Sequence, residues 1–311
     1  MNNGTQRGVA LVMVLLIVAM STTIAAFMAQ QQGFWQRAME NGRDRAQARR
    51  IAEAGIDWAR AVLADDKYVD NRSGGPNDHA KEMWAMKLPA IPVEGGEVQG
   101  TIVDQQGLFN LNNLVRNGTA SAPDLARLQR LLTALGLPQE LGGALTDWMD
   151  ANSETAANGA EDEYYMNLAK PYRCANRPLS DIGELAWVKG FDAGIIRRLQ
   201  PFVSVLPESS TAVNVNFAPP EVLMAVLPGL SLQDARQIVT QIKTTPFMTK
   251  AELDNFLERL PKNVKKEGNL SVSSQYFLVT GYATQGDGAS AAHALLKRSS
   301  IWATQMRKSL Q

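Results

Sequence analysis

The sequence predicts an α+β fold: one very long N-terminal helix, a small antiparallel sheet packed on it, and a large all-helical insertion within the sheet. Three observations carry this. An uncharged apolar run near the start passes, without a proline, into sequence rich in Ala, Gln, Arg and Glu. Alternating apolar and polar residues mark strands near 98–103 and again after residue 267. Between these, short helical patterns separated by Gly and Pro fill about half the chain.

The first element follows from composition. From Val9 to Met28 no charge interrupts "VALVMVLLIVAMSTTIAAFM", and about 20 such residues at helical rise match the thickness of a bilayer's hydrocarbon core. Small residues around Ala19-Met20-Ser21 also fit an export signal cut before Thr22, and a fixed anchor is a further reading. Helix-forming sequence nevertheless continues through "RRIAEAGIDWARAVLADD", with Ala48, Ile51, Ala52, Ile56, Ala59 and Val62 at helical spacing. The expectation is one helix over 9–66, with Gly33 and Gly42 as positions for a kink. Residues 67–113 should hold a polar, turn-rich connection over 67–97 and the first strands, around Val98, Thr101 and Val103. Residues 114–266 form the helical insert. Residues 267–311 supply two late strands joined by the turn "GDGAS".

Charge and chemistry exclude more than they suggest. Thirty-one basic and 31 acidic residues cancel among 311, which removes the simplest electrostatic argument for nucleic acid. Cys174 is the single cysteine, so no internal disulfide forms, and His79 and His293 lie far apart. No phosphate-binding loop, dinucleotide fingerprint or Gly-x-Ser-x-Gly appears. The reading is a protein that is not an enzyme. Trp148, Tyr164, Tyr165 and Trp187 read as core of the insert.

Two constellations remain. In "TDWMDANSETAANGAEDEYY", Asp147 and Asp150 share a helical face. Asp150, Asn152 and Glu154 alternate as oxygen donors, and Glu161 and Asp162 return after Gly159. The donors suit a hard cation, yet the offsets are not those of an EF-hand; composition alone equally fits a solvated acidic loop. A glycosidase carboxylate pair is disfavoured, because that chemistry needs one raised pKa beside a cleft. The second is "VNVNFAPPEVLMAVLPGLSLQDARQIV", which resembles a helix-hairpin-helix turning at Leu227-Pro228-Gly229-Leu230. Ser231 stands where DNA-binding versions carry a second Gly, and Gln233-Asp234 where they carry a cation. An anionic residue beside the expected phosphate argues against contact, and a periplasmic, membrane-anchored DNA-binding or uptake protein stands as the alternative reading.

A short leader (1–8) ending in Gly8, an apolar helix from Val9 and a later globular head resemble the type IV pilin-like proteins. That likeness implies cleavage between Gly8 and Val9 by a prepilin peptidase and methylation of Val9. Most pilins carry Glu as fifth mature residue; here it is Met13. A subunit without that carboxylate cannot attract the terminal amine of a neighbour above it, which is expected of a topmost subunit. The large insert, with "DQQGLFNLNNL", "DWMDAN", "GAEDEYY", "PYRCANRPLSDIGEL", "VNVNFAPPEVL" and "SQYFLVTG", is similar to the K-type minor pseudopilins of type II secretion. The resemblance implies an inner-membrane protein with a periplasmic head. Its implied partners are minor pseudopilins of the I and J classes, then the major pseudopilin filament. It also implies calcium at Asp147, Asp150, Glu161 and Asp162, with Asn152 and Glu154 as weaker ligands, and no nucleic acid.

Overall fold

The computed structural model describes residues 4–73, 75–87, 89–267, 269–299 and 302–310. Helix α1 spans Gly4–Ser73, about 105 Å at helical rise. It begins before and ends after the expected 9–66, since no proline occurs until Pro76. The helix runs unbroken through Gly33 and Gly42.

Two halves of α1 differ in environment. Every described side chain from Val9 to Met28 is exposed, as are Phe34, Trp35 and Met39 beyond them. Ala48 is the first buried residue, and Ala52, Ile56, Ala59 and Leu63 continue the stripe. They lie on a five-stranded antiparallel sheet in spatial order β1-β2-β3-β4-β5: β1 Ile91–Val93, β2 Gly96–Asp104, β3 Tyr276–Gln285, β4 Gly288–Lys297 and β5 Thr304–Leu310. Phe277, Val279, Ala283, Ala292, Ala294 and Leu296 face the helix. Burial of each larger apolar side chain contributes about 1.5–3 kcal/mol.

Small residues set the helix–sheet distance. A Cβ on Gly281 would collide with the carbonyl oxygen of Ala52, and one on Gly288 would lie 2.6 Å from the amide nitrogen of Arg45. At the hairpin tip Gly286 adopts φ +50°, a left-handed conformation that glycine tolerates. The neighbouring Asp287 amide donates to Asp44 Oδ2 at 3.3 Å. The β3–β4 turn therefore clips α1 at Asp44, and the helix is bare below it.

The strand expectations need three corrections. The hairpin turn is Gly286-Asp287 alone, because Ala289 and Ser290 already pair in β4. The second late strand is two, β4 and β5, because the chain leaves the sheet at Arg298, whose side chain turns inward. In β2 the period of two places Val98 and Ile102 toward the helix and Val103 outward. The connection at 67–97 is also less open than expected: Trp84 is buried, edge-on to Phe277 at 5.0 Å.

The insert leaves after Asp104 and returns at Tyr276. Its ends are neighbours, since Asp104 pairs with Phe277 in register and the Gln105 amide donates to the Tyr276 carbonyl at 3.0 Å. It contains α2 Ala122–Ala134, α3 Leu141–Met149, α4 Asp162–Met166, α5 Ala193–Leu199, α6 Pro220–Val226, α7 Leu232–Thr244 and α8 Lys250–Glu258. These share a core of their own, built on Leu128, Leu131, Leu132, Leu145, Tyr165 and Leu223.

Gly281→Ala should therefore destabilise the head by about 1–3 kcal/mol through overpacking, read as a lowered melting temperature of the full chain in detergent. An unchanged melting temperature would contradict the close helix–sheet approach.

Candidate functional site

The acidic segment is organised by α3 and the loop that follows. Asp147 and Asp150 lie at the end of α3, and both are buried, as is Glu161 just before α4. The Ala156 amide donates to Asp147 Oδ2 at 3.1 Å, folding the loop back onto the helix. Gly159 lies so close that a Cβ there would collide with the Asp147 carboxylate. Lys189 Nζ donates to the Gly159 carbonyl at 2.9 Å.

Two buried carboxylate oxygens, Asp150 Oδ1 and Glu161 Oε1, have no hydrogen-bond partner. A buried acceptor left unpaired carries a desolvation cost. Burial raises the pKa of Asp147, partly offset by the Ala156 amide, and that of Asp150, partly offset by Asn152. Burial also raises Glu161, reinforced by the carboxylates of Asp147, Asp150 and Asp162. Three acids thus press on one another inside the fold, two of them with an oxygen directed at nothing. These are oxygen donors of the type a hard divalent cation takes, although among the described residues the three whose carboxylate oxygens lie within 4.8 Å of one another are Asp66, Asp78 and Glu82 and not these.

The other candidates sit differently. Asp162 Oδ1 accepts from the Cys174 amide at 2.8 Å, with Arg173 3.9 Å from its other oxygen, so it anchors the Tyr172–Arg177 loop. Asn152 and Glu154 are exposed, and the Asn152 side-chain oxygen accepts from the Glu154 amide at 2.6 Å, a local turn. The Asn176 amide closes over the segment by donating to the Trp148 carbonyl at 3.0 Å. Burial pushes the Cys174 thiol up to about 12, with Glu161 adding to the shift, so it carries no thiolate at neutral pH. Trp148 and Tyr165 are core residues, whereas Tyr164 and Trp187 are exposed, contrary to their expected place in the core.

Gly8 and Val9 lie within α1, and Met13 is exposed among apolar neighbours. α1 is the one helix among the described residues long and apolar enough to cross a membrane. At the helix-hairpin-helix, Pro228-Gly229 does link α6 and α7, and Gly229 has φ +91°. The start of α7 is capped by Ser231, whose Oγ accepts from the Asp234 amide at 3.1 Å and donates to its carboxylate at 2.6 Å. An acid therefore occupies the place where a phosphate would approach.

A second polar cluster was not legible in the sequence. Arg298 is 2% exposed and pairs with Asp66 at the end of α1 and with Asp78 at 2.5 Å. Asp78 Oδ2 also accepts from the Ser274 amide at 2.6 Å. The Asp78 carbonyl accepts from Asn214 and Asn216, each at 3.2 Å. Asn216 in turn exchanges two bonds with the Phe247 backbone. Oxygen atoms of Asp66, Asp78 and Glu82 lie within 4.8 Å of one another, but Arg298, Ser274, Trp84 and the His79 amide already engage them. The cluster is a structural hub. The repeated asparagines in "FNLNN" and "VNVN" were its one sequence signal: buried Asn110, Asn112 and Asn113 satisfy loop backbone in the same way.

Two family models described as "Type II secretion system (T2SS), protein K" match residues 107–208 and 213–273. The chain is 37% identical to the Type II secretion system protein K of Pseudomonas aeruginosa, over 94% of this chain and 89% of that one. It is 33% identical to the protein of the same description from Klebsiella pneumoniae, over 95% and 94%. Its fold resembles a chain in the crystal structure of the GspK-GspI-GspJ complex from enterotoxigenic Escherichia coli. The TM-score is 0.64 at 22% identity, covering 91% of this chain and 99% of that chain.

In calcium-free buffer the raised carboxylates set a pH dependence. A carboxylate whose folded pKa exceeds its unfolded value costs stability as pH rises from the unfolded value through the folded one. Asp150→Asn should therefore melt higher than the parent at pH 7 in chelator and close to it at pH 3.5. Equal melting temperatures at both pH values would remove the repulsion from the account.

Proposed function

The chain belongs to the type II secretion system protein K family and is a minor pseudopilin, and on that premise we propose that it caps the tip of the pseudopilus and starts its growth. The carrying observation is where the insert sits. It emerges at the end of β2, beside the C-terminal end of α1, and Asp78 joins it to that end. A head enlarged at this end leaves no room for a further subunit to stack above.

In this reading α1 anchors the chain in the inner membrane with the head in the periplasm. A prepilin peptidase cuts between Gly8 and Val9 and methylates the new amine. That amine pairs with the carboxylate of a subunit arriving below, while Met13 offers nothing to one above. The solved relative, GspK, is held with GspI and GspJ; by that likeness the partners here are minor pseudopilins of the I and J classes, followed by the major pseudopilin. The chain works by shape and assembly without catalysis, a reading supported by the protonated, buried Cys174.

The same reading gives the acidic site calcium. Asp147, Asp150 and Glu161 would hold the ion, with Asp162 fixing the loop behind them. Bound calcium supplies the positive charge that cancels the repulsion of the three buried acids. The residues keep Glu161 beside α3 through the Asp147–Ala156 bond and the Lys189–Gly159 bond.

Gold-labelled antibody against the head should mark one end of each filament, and label along the shaft would overturn the tip assignment. Met13→Glu places an uncompensated carboxylate in lipid at the tip, which is costly, so tip occupancy and secretion should fall; unchanged values would dismiss the role given to Met13. For the metal, calorimetry of the full chain in detergent should show calcium raising the melting temperature over chelator. A concentration of about 100 times Kd corresponds to about 2.7 kcal/mol. The increment should vanish in Asp150→Asn and Glu161→Gln; no calcium effect in the parent would overturn the site.

A further inference from the structure

The hub at the end of α1 has a charge imbalance that its structural role alone leaves unexplained. Three acids meet there: Asp66 from α1, and Asp78 and Glu82 from the 75–87 segment. Arg298 is the single buried cation among the described groups, and it is spent on Asp66 and Asp78. Asp65, beside Asp66 on α1, adds negative charge, and the Asp78 carboxylate in turn raises Asp104 at the end of β2. Lys81 turns away to the Thr244 carbonyl at 2.6 Å, and burial lowers the His79 pKa, so its ring is neutral at pH 7. Glu82 is left with neutral donors, the Trp84 indole at 2.6 Å and the His79 amide at 3.1 Å, both on Oε2.

Carboxylate oxygens within 4.8 Å of one another in such surroundings are not all ionised together when one guanidinium serves them. We propose that the hub is a proton-dependent latch, in which a proton kept on Glu82 lets the 75–87 segment lock the end of α1 to the sheet and insert, and whose loss loosens that lock. The energetics agree in direction. Burial, with Asp66 and Asp78 adding to it, pushes Glu82 up to about 8. Burial, with the same two carboxylates, pushes Asp70 up to about 6.

The sign follows from proton linkage. The folded hub binds more protons than the unfolded chain between the ordinary Glu range and about pH 8, so stability declines across that interval and then levels. The mechanism also has a local reporter. Trp84 bonds to Glu82 and packs on Phe277, so ionisation alters the indole's hydrogen bond and its contact with the sheet.

The test uses the full chain in detergent at constant calcium, from pH 5 to 9.5. The parent's melting temperature should fall by several degrees over this range. Glu82→Gln should recover most of the loss at pH 9 and differ little from the parent at pH 5. Parallel profiles for the two proteins would overturn the latch. Should Glu82→Gln fail to fold, the fluorescence difference between the parent and Trp84→Phe decides the matter. A transition near pH 8 supports the latch, and one in the ordinary carboxylate range, or none, overturns it.

Discussion

One guanidinium joins the three parts of this molecule. Arg298 follows β4, reaches Asp66 on α1 across 232 residues and Asp78 across 220, and is almost wholly buried in doing so. Its guanidinium carbon also lies 4.8 Å from the centroid of the Phe277 ring. A buried charge is tolerable only when paired and hydrogen-bonded, so the position of Arg298 fixes the helix, the segment after it and the edge of the insert together. Removing one member leaves the others buried and unpaired, a loss of about 3–5 kcal/mol for an interior pair. The fold therefore closes around this contact more than around any one apolar layer.

The insert gains its independence from the same arrangement. It is a long excursion between two adjacent antiparallel strands, with its own apolar core and its two ends hydrogen-bonded to each other. Such a loop imposes little strain on the sheet that carries it, because closure costs grow only slowly with length. Buried asparagines do what side-chain hydrophobicity cannot, pairing the backbone of irregular segments that would otherwise be left dry and unsatisfied. Stability of the insert and stability of the sheet meet at Asp78, Asn214, Asn216 and Ser274.

Much of this was legible from the residues, and the failures have a common cause. The long helix was readable because its apolar run and the Ala48–Ala59 stripe are local patterns. The acids of the loop were readable because Asp147, Asp150, Glu161 and Asp162 crowd together in sequence. Asn152 and Glu154 read as weaker candidates beside them, and a local turn carries both outward. Arg298 and Asp78 were invisible as a pair, since each reads as an ordinary surface charge until folding brings distant segments together. The break between β4 and β5 was missed for the same reason: it exists to send Arg298 inward. Tyr164 and Trp187 were misplaced because aromatic character alone does not say which ring meets solvent. Family membership came through the "DWMDAN" and "VNVNFAPPEVL" stretches, which serve packing and loop pairing as much as any ligand.

The clip between the β3–β4 turn and Asp44 has a metric consequence. From Met28, the last residue of the apolar run, to Asp44 is 16 residues of bare helix, about 24 Å at 1.5 Å per residue. The rod thus sets an altitude as well as an attachment. Any companion rising from the same bilayer must bring its own globular part to that height to touch this one. Adding or removing a single turn, about 5.4 Å, would miss the meeting point by more than the width of a strand.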